Sequence, residues 1–178
     1  MKLYLKEPTI QDKDEILKMC KEIDELDNEY KFEGTNNLKM ALISGYEVWL
    51  LQNEKDKTIE EKYPDWSNAT NYIMIDENNH VYGCCTLRHT IKGNLINIGG
   101  NIGYAIRPSE RKKGYGKKQL QLILEKAKEH NLKKVLITCK ENNIASKKTI
   151  ESFNPTADTK VPSQFPNIME LRYWIELE

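Results

Sequence analysis

The sequence predicts a mixed α/β domain in which helices cover both faces of a central, mostly antiparallel sheet. Two observations carry this expectation. Between residues 102 and 139 an apolar strand, a glycine-containing basic loop, a helix and a β-branched strand follow one another, a βαβ unit whose strands run parallel. Ahead of it, residues 71–75 and 81–88 are strand-like runs flanking the turn Asp76-Glu77-Asn78-Asn79-His80, an antiparallel hairpin. A meander that feeds one parallel pair gives a mixed sheet. The 178 residues suit one domain, 1–178, long enough to bury a core without disulfides or metals.

In chain order, residues 2–7 alternate polar and apolar and form a first strand, closed by Pro8. Thr9 caps the helix that follows. Ile16, Met19, Cys20 and Ile23 make its apolar face, while Asp12, Asp14 and Glu15 near its start complement the helix dipole. Glu22, Asp24, Glu25, Asp27 and Glu29 continue as an acidic run, a solvated face before it is a seat for a cationic amine. Over residues 36–61, Leu38, Ala41, Leu42, Val48, Trp49 and Leu51 give one or two amphipathic helices broken near Ser44-Gly45. Residues 63–70 carry loop signals, and Tyr63 and Trp66 either pin that loop or line a mouth.

After Arg88-His89 a loop passes through Lys92-Gly93-Asn94, and Gly99-Gly100 admits the strand Ile102-Gly103-Tyr104-Ala105-Ile106, which Pro108 ends because its ring cannot donate to a ladder. Leu120, Ile123, Leu124 and Ala127 then recur at helical spacing from a helix opening near Gly116. Asn131 serves as its left-handed C-cap, residues 134–139 are the second strand, and Asn142-Asn143 cap a further helix beginning at Ile144.

Composition narrows the function. Lys plus Arg and Asp plus Glu both number 27, a net charge of zero, which excludes a protein built to coat nucleic acid. Cys20, Cys84, Cys85 and Cys139 lack metal-ligand spacing and read as core thiols in a reducing compartment, with Cys84 and Cys85 on opposite faces of one strand. His80, His89 and His130 are scattered, so no metal is expected. The N-terminus is too charged for a signal peptide and no run approaches a membrane span, so the expected location is the cytoplasm.

Against that neutral background, five of the eight residues from Arg111 to Lys118 are basic and none is acidic. They sit where a helix begins, with unpartnered N–H groups and the positive end of the dipole, and Gly114 and Gly116 let a bulky anion approach the amides. The best-fitting guest is a pyrophosphate. A Walker loop fails, because Arg111 stands five before Gly116 and Lys118 follows Lys117; a dinucleotide fingerprint lacks its third glycine, replaced by Gln119. What remains is Arg-x-x-Gly-x-Gly.

That pattern resembles the Gln/Arg-x-x-Gly-x-Gly/Ala signature of the GNAT (GCN5-related) N-acetyltransferase superfamily. The likeness extends to a bacterial branch carrying, in this order, Arg88-His89, Gly99-Gly100, Ile102-Gly103-Tyr104, Arg107-Pro108-Ser109-Glu110-Arg111 and Asn143-Ile144-Ala145-Ser146. It covers residues 82 to about 153, with a fainter match in the terminal strand Leu171-Arg172-Tyr173-Trp174-Ile175. The resemblance implies a GNAT-like domain whose parallel pair splays to admit acetyl-CoA. Tyr104, Ala105 and Ile106 would bond the pantetheine through their main chain. Arg111, Lys112, Lys113, Gly114, Tyr115, Gly116 and Lys117 would cradle the pyrophosphate, and Asn143 and Ser146 would lie beside the arm.

The implied reaction is direct attack of a neutral amine on the thioester, helped by positioning and by a base reached through water. Its partners are acetyl-CoA and an amine-bearing acceptor, with a homodimer allowed and no nucleic acid or membrane. Polyamine, aminoglycoside, amino acid and protein N-terminus all stay open as acceptors. Two departures stand out. Ile150 occupies the position, seven after Asn143, where relatives often place an acidic tyrosine, which leaves Tyr104, Tyr173 and His89 as weak candidates and no catalytic residue assigned. Phe153-Asn154-Pro155 replaces a Gly-Gly turn and puts the following strand in doubt. The missing tyrosine also admits a non-catalytic CoA-binding sensor or degenerate acetyltransferase subunit.

Overall fold

The computed structural model describes residues 2–26, 28, 31–35 and 37–177. Strand β1 (Tyr4–Lys6) leads through a 3-10 turn at Ile10–Asp12 into helix α1 (Lys13–Asp24). Helices α2 (Lys39–Ile43), α3 (Tyr46–Asp56) and α4 (Ile59–Lys62) follow, then strands β2 (Ala69–Ile75), β3 (Val81–Arg88) and β4 (Ile102–Ile106). Helix α5 (Tyr115–Glu129), strand β5 (Lys134–Lys140) and helix α6 (Ile144–Glu151) complete the region of strongest sequence signal. Strands β6 (Thr156–Ala157), β7 (Val161–Pro162) and β8 (Met169–Glu176) close the chain.

The strands form two antiparallel sheets. One has the order β1-β2-β3-β4; in the other β8 is flanked by β5 and β6 and also pairs with β7. The expected central mixed sheet is thus divided, because β4 and β5 share no ladder. They meet at one point: Asn101 N donates to Leu136 O (2.7 Å), and Leu136 N donates back to the Asn101 side chain (2.8 Å). Gly100 makes this approach possible, since its φ is +59° and a Cβ there would lie 2.3 Å from Leu136 O. Beyond Asn101 the strands part, and the space between them is the site described below.

Helices lie on both faces, and Cys84 and Cys85 show why. Cys85 joins a core of Leu120, Ile123, Leu124, Val135, Ile137 and Ile150 beneath α5 and α6, whereas Cys84 faces the opposite core of Ile16, Met19, Ile23, Tyr46 and Trp49 beneath α1 to α3. All four cysteines are buried free thiols. The helix expected to be capped directly by Thr9 starts one 3-10 turn later, because the Asp12 carboxylate accepts both Thr9 N (2.7 Å) and Thr9 Oγ1 (2.8 Å) and holds that turn. The break at Ser44-Gly45 separates α2 from α3. After α6, β6 and β7 are only two residues each, so β8 is held in its sheet chiefly through β5.

Candidate functional site

A cavity of about 740 Å³ opens where β4 and β5 diverge, walled by β4, the loop after it, the start of α5 and the start of α6. Of the residues expected to hold a cofactor, Tyr104, Ala105, Ile106, Arg111, Lys112, Gly114, Tyr115, Gly116, Lys117, Asn143 and Ser146 line it. Lys113 is not among them; its ammonium pairs with Glu110 (3.0 Å). Lys112 and Gly114 both have left-handed φ (62° and 86°), and Gly114 caps α5. The first helical bond back to the cap is Lys118 N to Gly114 O (3.4 Å), so the amides of Tyr115, Gly116 and Lys117 have no partner inside the helix. Successive amides in such a turn, with a helix dipole behind them, form an anion-binding concavity.

The loop is held from behind. Buried Arg107 donates from Nε to Glu22 (2.6 Å) and from Nη1 to Glu15 (2.9 Å) and to Val81 O (3.3 Å), and Glu22 also accepts from Ser109 N (3.0 Å). Burial works to raise the Glu15 carboxyl, but bonds from Lys18 and Arg107 outweigh it and bring Glu15 down to about 2. In the acidic run Glu22 is therefore a structural anchor and Asp24 pairs with Lys31 (3.1 Å), while Asp27 and Glu29 lie outside the described residues.

A second cavity of about 220 Å³ adjoins the first across Glu33, Tyr104, Lys140, Asn143 and Ser146. At the junction Tyr104 Oη and Ser146 Oγ are 3.0 Å apart, and burial pushes the Tyr104 phenol up to about 12. Deeper in lies Glu170, 6% exposed, whose Oε1 accepts from Thr138 Oγ1 (2.8 Å); Thr138 in turn accepts from Gly99 N (2.9 Å). Burial raises the Glu170 carboxyl above the ordinary range. Lys140, almost as buried, pairs with Glu33 and lies 4.7 Å from the Phe165 ring centroid. Arg88 Nη1 donates to Gly100 O (3.1 Å) and to Gly99 O (3.4 Å).

The three weak catalytic candidates separate. Tyr104 stands at the junction. Tyr173 donates to Glu151 (3.1 Å) from within the core, and His89 lies within 2.9 Å of Thr70 Oγ1 and stacks on His130 at 4.4 Å; neither lines either of these two cavities. Ile150 is fully buried in the core. Sequence reasoning passed over Glu33, Thr138, Lys140 and Glu170. The available signal was Glu170 itself, a carboxylate at an inward position of β8, opposite Lys140 in register. Among the described residues no group of three or more His, Cys, Asp or Glu side chains is placed to hold a metal ion, and no helix is long and apolar enough to cross a membrane.

A family model described as an acetyltransferase (GNAT) domain matches residues 2–154, and the chain belongs to that family. The class of reaction is acetyl transfer. Among solved structures, a ribosomal L7/L12 alpha-N-protein acetyltransferase in complex with coenzyme A superposes with a TM-score of 0.66 at 14% identity, covering 99% of this chain and 95% of that one. An N-acetyltransferase from Staphylococcus aureus Mu50 gives 0.63 at 16% identity over 100% of both chains. The protein yncA from Salmonella typhimurium, solved with its cofactor acetyl-CoA, gives 0.59 at 12%, covering 99% and 94%. At these identities the likeness shows the fold. No curated protein matches the sequence.

Proposed function

We propose that this chain, acting as one acetyltransferase domain, moves the acetyl group of acetyl-CoA to a primary amine by direct attack. The observation that carries the reading is the loop at Lys112 to Lys117. Its unpartnered amides, left-handed Gly114 and basic side chains face a cavity long enough to continue between β4 and β5, and two relatives in fold were solved with CoA or acetyl-CoA bound.

The Tyr115, Gly116 and Lys117 amides hold the pyrophosphate, with Arg111, Lys112 and Lys117 supplying charge. Main-chain groups of Tyr104 to Ile106, left without a β5 partner by the splay, bond the pantetheine, and Asn143 and Ser146 flank it. When bound, acetyl-CoA supplies the reacting carbonyl: the amine nitrogen bonds to its carbon, the carbon–sulfur bond breaks and the electron pair leaves on the thiolate. Glu170 takes the amine's proton, directly or through water. Its raised basicity suits that task, and Thr138 fixes its orientation. Tyr104 lends its hydroxyl at the junction.

Thermal melting with CoA, acetyl-CoA, ATP and NAD tests this. A ligand at a hundredfold over its dissociation constant adds about 2.7 kcal/mol, and that shift is expected with CoA and acetyl-CoA only. A folded, monodisperse protein that ignores CoA overturns the reading. CoA binding without thiol release, over a broad amine panel, points instead to the non-catalytic sensor.

A further inference from the structure

The second cavity is lined by two charged side chains, Arg88 and Glu170, that form no salt bridge among the described residues; Asp56 acts on Arg88 and Lys140 on Glu170 only from beyond ion-pair distance. Lys140 and Glu33 satisfy each other. Arg88 spends Nη1 on two backbone carbonyls, and among the described residues no carboxylate lies within the 4.0 Å of an ion pair. Glu170 accepts one hydrogen bond, from Thr138 to Oε1; among the described residues its Oε2 has no partner, although the side chain is more than nine-tenths buried. Both groups are tied to one residue, because Arg88 donates to Gly99 O and the Thr138 that bonds Glu170 accepts from Gly99 N. A partly buried guanidinium and a buried carboxylate, neither held in an ion pair, each carry a desolvation cost that a ligand of opposite charge recovers.

Resting on the acetyl-transfer reading, we infer that the acceptor is a small zwitterion with a carboxylate beside its amine, an α-amino acid in chemical class. Its carboxylate is held by Arg88 and its amino group by Glu170, next to the Tyr104–Ser146 junction. Guanidinium is the side chain suited to a carboxylate, which it meets with two parallel N–H bonds. Glu170 receives one proton from the ammonium, leaving the neutral nitrogen that attacks; the second proton released as the amide forms goes to the departing thiolate through solvent. Size agrees: about 220 Å³ is below the roughly 300–1,000 Å³ of pockets for drug-sized ligands. Charge agrees too. With Glu33 and Glu170 set against Arg88 and Lys140 the cavity is formally neutral, so a polyamine with several positive charges gains no net attraction and meets a guanidinium.

The test compares matched acceptors by thiol release from acetyl-CoA: L-amino acids, the same molecules without the carboxylate, their amides, and spermidine. The zwitterions are expected to exceed the matched amines and amides at least tenfold in kcat/KM, with spermidine lower still. Calorimetry on the CoA-saturated protein should show binding of the zwitterion and not of its decarboxylated partner. Arg88→Gln should raise the zwitterion KM tenfold or more while leaving the KM for acetyl-CoA unchanged, and Arg88→Lys should recover part of it. Because Arg88 also bonds Gly99 and Gly100, melting of each variant is checked, and the matched pairs on the parent stand whether or not the variants fold. Decarboxylated amines or spermidine used as well as the amino acids would overturn the inference, as would an Arg88→Gln variant with unchanged KM. Silence from every zwitterion while CoA still raises the melting temperature overturns the acceptor alone. Loss of the CoA shift overturns the acetyl-transfer reading beneath it.

Discussion

The two cavities meet at Tyr104 yet are made in different ways. The larger is framed by one continuous loop and by strand backbone, with Gly114 supplying the left-handed turn and a helix start supplying the amides. The smaller is made of side chains from places far apart in sequence: Glu33 before α2, Arg88 at the end of β3, Thr138 and Lys140 on β5, Glu170 on β8. A site built of backbone demands particular residues at consecutive positions and so leaves a local signature. A site built of side chains needs only that the fold bring them together, and its chemistry varies while the frame stays constant.

The sharpest way to break this contrast is at the backbone side. Gly114→Glu sets a carboxylate where the amides await an anion, and CoA affinity should fall by at least two orders of magnitude in calorimetry. The left-handed φ of +86° adds a folding cost of about 1–2 kcal/mol for any residue with a Cβ. Gly45→Glu is the control. Gly45 also has positive φ (+107°) and open space around a built Cβ, but it caps α3 away from the cavity, so it should carry strain without loss of CoA binding. Equal CoA affinity in Gly114→Glu and the parent would remove the loop from the site.

On the side-chain cavity, Glu170→Gln should lower turnover 10²- to 10⁴-fold, the usual loss for a proton-transfer group, with CoA affinity unchanged. It should also stabilise the fold. Burial raises the Glu170 carboxyl, so the folded state holds this proton more tightly than the unfolded state, and stability falls as pH rises through the folded value. Glutamine escapes that loss. The variant should melt above the parent at neutral pH, and the gap should close as pH falls below the ordinary carboxylate value of 4.5. A variant that keeps full activity and melts lower at pH 7 would contradict both halves.

How far the molecule was legible follows the same division. The βαβ unit, the hairpin, the break at Ser44-Gly45 and the start of α5 could be read because each rests on local chemistry: apolar period, turn residues, glycine. The split of the sheet could not, since it depends on Asn101 closing onto Leu136 and nothing beyond continuing the ladder. Nor could the role of Glu22, whose partner Arg107 is 85 residues away. An acidic run on a helix reads as solvated until the turn that follows β4 is known to present a guanidinium.

That pairing sets the third expectation, a smaller one. Removing one partner of a buried ion pair costs about 3–5 kcal/mol, and Arg107→Met should lie near the lower figure because the Glu15 and Glu22 side chains are 25% and 26% exposed. Denaturant unfolding measures it. Glu15 is depressed to about 2, so its contribution is complete above 4.5 and fades as pH falls toward 2. The parent should lose stability across that window and Arg107→Met should lose much less. If the variant retains CoA binding despite its instability, the anchor supports the fold more than the loop.

The smallest effect is expected where the two cavities join. On the acetyl-transfer reading Tyr104, at the junction of the cavities, would be the tyrosine to meet a leaving sulfur, because the usual position holds Ile150, buried in the core. Its phenol sits at about 12, whereas an ordinary thiol titrates near 8.5, so full proton transfer from Tyr104 to a thiolate runs uphill by roughly 5 kcal/mol. A hydrogen bond to the developing charge is still available, and such a bond is worth about 1–1.5 kcal/mol, close to tenfold in rate. Tyr104→Phe should therefore lower kcat about tenfold, with the KM for acetyl-CoA and the pH profile unchanged, and Tyr173→Phe should leave kcat as it is. A fall of a hundredfold or more in Tyr104→Phe, with the basic limb of the pH profile lost, would make Tyr104 the proton donor and the junction a third chemical centre.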